Sequence, residues 1–193
     1  MKRVWFSGIA AAMVLTVTMV LLCSCKQVNT KITPADPIDP PDNIYVGMSK
    51  ADFVELYPEE VCFYYWASYA FFDDPDGNPV VVYFDCGTQY SKATVGAVYA
   101  YDKNGINPTD EVFCALEGGM LVQEIVSYVG NPYPLTNPTE TMVWIIGENT
   151  EYRLQLGYLN GHVDDELYLC LMHRWEGDVH SYPIGSEPWY LSE

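Results

Sequence analysis

Residues 47–101 and 119–173 read as two versions of one segment. At a shift of 72 positions Gly47-Met48 falls on Gly119-Met120, Asp52 on Glu124, Phe53-Val54 on Ile125-Val126, and Phe72 on Trp144. The same shift sets Val82 and Phe84 on Leu154 and Leu156, and Val95 on Leu167. One offset running through a helix and three strands without a gap is what a tandem duplication leaves behind. It constrains the fold, because each unit must bury its apolar face by the same means. The expected class is α+β, two tandem units of short helices packed on an antiparallel sheet, over 44-105 and 106-175.

Local signals fill in each unit. Gly47-Met48-Ser49-Lys50-Ala51-Asp52-Phe53 opens a helix, with Ser49 as cap, Asp52 as an acidic capping-box partner and Met48 stapled onto Phe53. Pro58 stops that helix near Tyr57. Val, Tyr and Phe predict strands over 61–65, 69–72, 80–84 and 95–101, separated by Asp- and Gly-rich turns. Helices are predicted over 109–116 and 120–129, broken at Gly118-Gly119 and ended by Gly130-Asn131-Pro132. Strands follow over 141–146, 150–156 and 166–172, the last two alternating apolar with other residues.

The first residues carry an address. Lys2 and Arg3 precede a charge-free run from Val4 to Leu22, and Leu22-Cys23-Ser24-Cys25 ends it. Cationic start, apolar centre and a small residue before the cut are the parts of a secretory signal. The ending resembles the lipobox of bacterial lipoproteins, which implies cleavage after residue 24 and a diacylglycerol thioether on Cys25. Cys23 is the poorer acceptor, since bulky Leu22 would fill the position before the cut. The competing reading is an uncleaved anchor, as about 20 apolar residues span a bilayer. Both place the remainder outside the cytoplasm, because positive residues stay inside. The division is therefore 1-24 signal peptide, 25-43 lipidated Cys25 and Pro-rich tether, the two units, and a tail over 176-193. Pro34, Pro37, Pro40 and Pro41 favour an extended tether, at about 3.1 Å per residue roughly 50 Å long over 27–43.

Charge narrows the partners. Lys2 and Arg3 aside, 7 Lys and Arg face 26 Asp and Glu, a formal −19. Nucleic-acid binding needs clustered Lys and Arg, so it is excluded as a first reading. An anionic membrane surface would repel the body of the chain, which leaves lipid as the means of attachment. Sixteen Tyr and five Trp supply a core, so the body is not a disordered tail. Cys62 with Cys86 and Cys114 with Cys170 are conceivable disulfides in an extracytoplasmic protein; ordinary buried thiols are the equal alternative.

Gly-Met-Ser before a short helix, a Pro or Gly-x-Pro stop and a strand meander is similar to the small outer-membrane-assembly lipoproteins of the SmpA/OmlA (BamE) type. Two such units in tandem look like the fold of the beta-lactamase inhibitory protein. The likeness rests on Gly47-Met48-Ser49 and, in the second copy, Gly119-Met120 without the Ser. It implies helices on one face of an antiparallel sheet, and protein binding rather than catalysis.

Period-two alternation puts Val81, Tyr83, Arg153 and Gln155 on a face turned away from the helices, with Trp144 and Tyr168 nearby. Tyr83, Trp144, Arg153 and Tyr168 are accordingly the expected binding residues, a mix that interface hot spots favour. Asp73, Asp74, Asp76 and Asn78 have the oxygens of a calcium loop but Pro79 where its spacing needs another residue, so an acidic turn is the reading. His162, His173 and His180 lack metal or triad spacing, and no phosphate loop, dinucleotide fingerprint or nucleophile elbow occurs. No catalytic residue, metal or cofactor is called for. The expected function is a membrane-tethered, non-catalytic module of the cell envelope with a protein partner; the alternative is an extracytoplasmic small-ligand-binding protein or hydrolase without a recognisable motif.

Overall fold

A computed structural model describes residues 31–65, 68–87, 92–134, 141–146, 150–158 and 166–176. Residues 1–30, which include Cys25 and the expected signal, and His162 and His180 lie outside them. Three α-helices are described: α1 (Lys50–Leu56), α2 (Asp110–Ala115) and α3 (Val122–Val129). Strands β1 (Phe63–Tyr65), β2 (Tyr69–Asp73), β3 (Pro79–Asp85) and β4 (Thr94–Ala100) form one antiparallel meander. A second is built from β5 (Thr141–Ile146), β6 (Thr150–Tyr158) and β7 (Leu167–Glu176). The fold is α+β, short helices on antiparallel sheets. Among the described residues no helix is long and apolar enough to cross a membrane.

The helix starts follow from their side chains. Ser49 Oγ accepts from the Asp52 backbone N–H at 3.1 Å, and its hydroxyl donates to Asp52 Oδ2 at 2.7 Å. In the second unit Leu121 stands where Ser49 did and has no hydroxyl. The longer Glu124 there reaches the Leu121 backbone N–H itself, at 2.8 Å. That bond satisfies the N–H of the cap residue itself, the other half of a capping box, and not the helix N–H that Ser49 accepts from in the first unit. Thr109 opens α2, accepting from Val112 N at 3.4 Å.

The units repeat in hydrogen bonding from α1 and α3 through the last three strands of each, while α2 and β1 have no counterpart among the described residues. Ala70 pairs with Val82 and Phe72 with Val80; Met142 pairs with Leu154 and Trp144 with Tyr152. Each long hairpin carries one irregularity at the same place, between Tyr83 and Phe84 and between Gln155 and Leu156. The single offset of 72 does not extend to the last strand. Gly47 N–H donates to Val95 O and Val95 N–H to Met48 O; Gly119 N–H donates to Leu169 O and Leu169 N–H to Met120 O. Val95 therefore corresponds to Leu169, not Leu167. The two additional residues fall in the connection between Leu156 and Leu169, where a change of length costs little.

Apolar alternation sets the layers. On one side of the first sheet Ala70, Phe72, Val80, Val82, Phe84 and Val95 form a core with Phe53 of α1. Phe53 lies 5.2 Å from Phe84 edge-on and 5.0 Å from Tyr57 stacked. The opposite side presents Tyr65, Tyr69, Phe71 and Val81, which share a second core with Phe113, Val122, Ile125, Val126 and the inner face of the second sheet, Met142, Trp144, Tyr152, Leu154 and Leu169. The stack is helix, sheet, helices, sheet. Helices α2 and α3 cover their own sheet and also close the back of the first.

Asp110 locks α2 to the second sheet. It accepts from Tyr152 Oη at 2.7 Å and from Arg174 Nη2 at 2.9 Å, while Phe113 stacks on Tyr152 at 4.2 Å. The four cysteines among the described residues are free thiols. Cys114 lies on α2, inside the second sheet, whereas Cys170 is exposed on strand β7. Cys62 sits two strands from β3, beside Phe63, which is level with Val81. Cys86 is five residues further along, on the order of 15 Å, beyond the reach of a disulfide.

Candidate functional site

The expected surface of Tyr83, Trp144, Arg153 and Tyr168 does not assemble. Tyr83 is half-buried on the inner side of the first sheet, its ring 5.4 Å from Tyr69. Val81 beside it is fully buried, because the second unit covers that face. Trp144 is 3% exposed on the inner side of the second sheet and donates Nε1–H to Gly130 O at 3.0 Å. Its register with Tyr152, rather than with Arg153, puts it there. Arg153 lies on the outer side of that sheet, itself buried and ion-paired with buried Glu151. Tyr168, half-exposed, pairs with Gly157, and Gln155 is exposed. Assuming one open face common to both units joined residues that belong to three surfaces.

The acidic turn holds as a turn. Asp74 Oδ1 accepts from Asp76 N at 2.8 Å and Asn78 N at 2.9 Å, and Oδ2 accepts from Asn78 Nδ2 at 3.0 Å. Burial works against its charge, but these hydrogen bonds outweigh it and hold the carboxyl below its ordinary range. Its oxygens are committed within the turn, Oδ1 to two backbone N–H groups as in an Asx turn and Oδ2 to the Asn78 amide.

A groove of about 540 Å³ lies elsewhere, between the two units. One wall is the segment after α1: Glu59, Glu60, Val61, Cys62, Phe63 and Tyr64. The other is the segment after α3, Asn131, Pro132 and Pro134, with Phe71, Phe72 and Asp73 of β2 between. Glu59 and Asn131 are 72 positions apart, as are Cys62 and Pro134, so the walls are equivalent stretches of the two units facing each other.

Both walls are built from the helix stops. Pro58 ends α1, and its carbonyl accepts from Val61 N and Cys62 N at 3.0 Å each, folding Glu59 and Glu60 outward into an exposed turn. Gly130 ends α3 with φ at +77°, a value side-chain-bearing residues seldom adopt. Asn131 then reaches across, donating Nδ2–H to Phe72 O and to Asp73 Oδ1, both at 2.8 Å. Tyr133 N–H donates to Val143 O at 2.7 Å, fixing the far end of the loop to β5.

The floor is aromatic: Phe63 stacks with Phe71 at 5.9 Å. Val61, at the rim, is 61% exposed, and Tyr133, next to the wall, 40%. Every polar side-chain group of the described lining except the Tyr64 hydroxyl, the Cys62 thiol and the Asn131 amide N–H₂ is an acceptor, and no Lys or Arg is among them. The Tyr64 hydroxyl is already spent on Tyr57 O. Asn131 Oδ1 is buried and has no partner among the described residues. Burial pushes the Cys62 thiol up to about 12, against weaker opposing effects of Tyr64, Phe71 and Lys50, so it stays protonated and a poor nucleophile. Burial likewise raises the Tyr64 hydroxyl, with the nearby Cys62 and Glu59 adding to it. Glu59, Glu60 and Asn131 carried no sequence signal beyond that of two helix stops; only the shift of 72 pairs them.

No family model, curated protein or solved structure matches this chain.

Proposed function

We propose that this chain is a lipid-anchored extracytoplasmic module that binds another protein without catalysing a reaction. The groove between the two units carries the reading. It joins exposed apolar surface at Val61 to an aromatic floor and an acidic rim, the composition of a recognition surface. The leader ending in Leu22-Cys23-Ser24-Cys25 and the Pro-rich stretch after it support attachment through Cys25 to a membrane of the cell envelope, with the domain held off by the tether. The tandem helix-and-meander layout is what the resemblance to the SmpA/OmlA (BamE) lipoproteins and the beta-lactamase inhibitory protein leads one to look for. It supports an assembly role in the envelope.

A protonated Cys62 thiol at the groove leaves it without a thiolate nucleophile, which favours binding over covalent chemistry. The groove's volume also suits a small ligand, so that reading stands second. Photocrosslinking in intact cells tests the first: a crosslinking residue at position 61 should give a discrete adduct with one protein. A groove that yields no protein adduct, but is filled by a small molecule found by native mass spectrometry, would transfer the proposal to the second reading.

A further inference from the structure

Resting on the tethered-module reading, we infer that residues 32–38 are a strap joining the two units rather than free tether, and that Cys25 thereby keeps one edge of the domain beside the membrane with the groove at the opposite edge. Ala35 is 3% exposed, and its N–H donates to Ser127 O on α3 at 2.7 Å. Three residues on, Ile38 N–H donates to Ala100 O at the end of β4, and Asp102 N–H donates to Asp36 O, both at 2.9 Å. Pro37 between them pairs antiparallel with Tyr101; having no N–H to offer, it suits an outermost position. The side chains are seated as well. Ile38 packs against the core under α1 and Ile32 against the core shared with the second sheet. Gly105 makes room for the strap, since a Cβ there would come within 2.7 Å of Ala35 Cα and Cβ. The prolines that predict a spacer hold the backbone extended, and extended backbone beside an open sheet edge pairs with it.

Docking of the strap shortens the leash and gives it a direction. Residues 27–43, taken as free chain, reach roughly 50 Å; from Cys25 to Ile32 the chain reaches roughly 22 Å, at about 3.1 Å per residue. The first sheet runs β1-β2-β3-β4, and the strap lies beyond β4. Four strand spacings, about 19 Å, therefore separate it from β1. The groove wall of Glu59 to Tyr64 stands at that far β1 edge. A lipid on Cys25 holds the strap edge near the membrane surface, so the groove opens away from it. The partner then approaches from the side away from the anchoring membrane.

Energy transfer from the acylated protein to an acceptor lipid tests this, in vesicles of neutral phosphatidylcholine so that charge does not orient the body. A fluorescent amino acid replaces either Asn104, beside the strap, or Glu60, at the groove; both positions are exposed. Transfer from 104 should exceed that from 60 by about twofold or more, and Ala35→Glu, which forces a charge into the strap's buried seat, should lower it at 104 and remove the difference. Amide exchange of the unsubstituted protein checks the strap without any variant: Ala35 and Ile38 N–H should be protected like those of β4. Equal transfer from the two positions, or greater transfer from 60, would overturn the inference. So would exchange of both amides at the rate of free chain. Protein that does not stay on the vesicles at all would instead remove the lipid anchor, and with it the tethered-module reading on which the inference rests.

Discussion

Gly47 donates its N–H to Val95 O at 2.7 Å with φ at +92°, and Gly119 donates to Leu169 O at 2.8 Å with φ at +93°. The pair marks the place in each unit where the chain turns from the loop into the helix while clasping the last strand. Nothing lies within 4 Å of a Cβ added at either glycine, so space is not the constraint; the backbone conformation is. Gly47→Ala and Gly119→Ala should each lower unfolding stability by about 1–2 kcal/mol. Chemical denaturation of each variant measures this, and an unchanged midpoint for both would show that the turns relax freely.

Asp110 makes stability depend on pH at the acid end. Hydrogen bonds from Arg174 first and Tyr152 next, opposed by burial and aided by the Arg174 charge, hold its carboxyl below the ordinary 3.8. A carboxyl depressed by folding stabilises above its unfolded value and loses that contribution as pH falls through its folded value. Asp110→Asn should therefore cost about 1 kcal/mol near neutrality, modest because the pair is partly exposed, and progressively less below about pH 4. Thermal melts of both proteins from neutral to acid pH give the curve; a difference independent of pH would remove the ion pair from the account.

Thiol chemistry separates two cysteines. Cys62 is buried with its thiol raised to about 12, whereas Cys170 is exposed. Near neutral pH the Cys62 thiol is almost wholly protonated and shielded, so iodoacetamide should modify Cys170 well before it. Peptide mass spectrometry over time decides. Cys62 labelling as fast as Cys170 in the folded protein would contradict the burial described for the groove wall.

The helices and strands were legible because their signals are local. Ser49 with Asp52, the stops at Pro58 and Gly130, and the alternation of Leu154 and Leu156 each name an element without its partners. The repeat was legible for the same reason, up to the hairpin where two residues enter before Leu169. What could not be read was the stacking of one unit on the other. Period-two alternation says that Val81 and Tyr83 share a face, but not whether that face meets water or α3; Val81 proved fully buried. Trp144 likewise follows the phase of Tyr152, so its indole faces the core. The groove escaped notice because its walls are 72 positions apart and consist of turn residues, whose pattern announces only that a helix ends.

Lipidation of Cys25 is tested at the amino terminus of the mature protein. Mass spectrometry should find cleavage after Ser24 and a diacylglycerol on Cys25, and Cys25→Ala should abolish both and release the protein from the membrane fraction. An intact Met1, or acylation on Cys23 alone, would contradict the anchor.

Binding of a protein in the groove between the units is tested most directly by crosslinking from inside it. With a photoreactive residue at position 61 in intact cells, and the same residue at exposed position 155 on the other sheet as control, irradiation should give one discrete protein adduct from 61. That adduct should fall away when Glu59→Gln/Glu60→Gln/Asp73→Asn is introduced, and position 155 should not form it. No protein adduct from 61, or one that forms equally from 155, would contradict the claim.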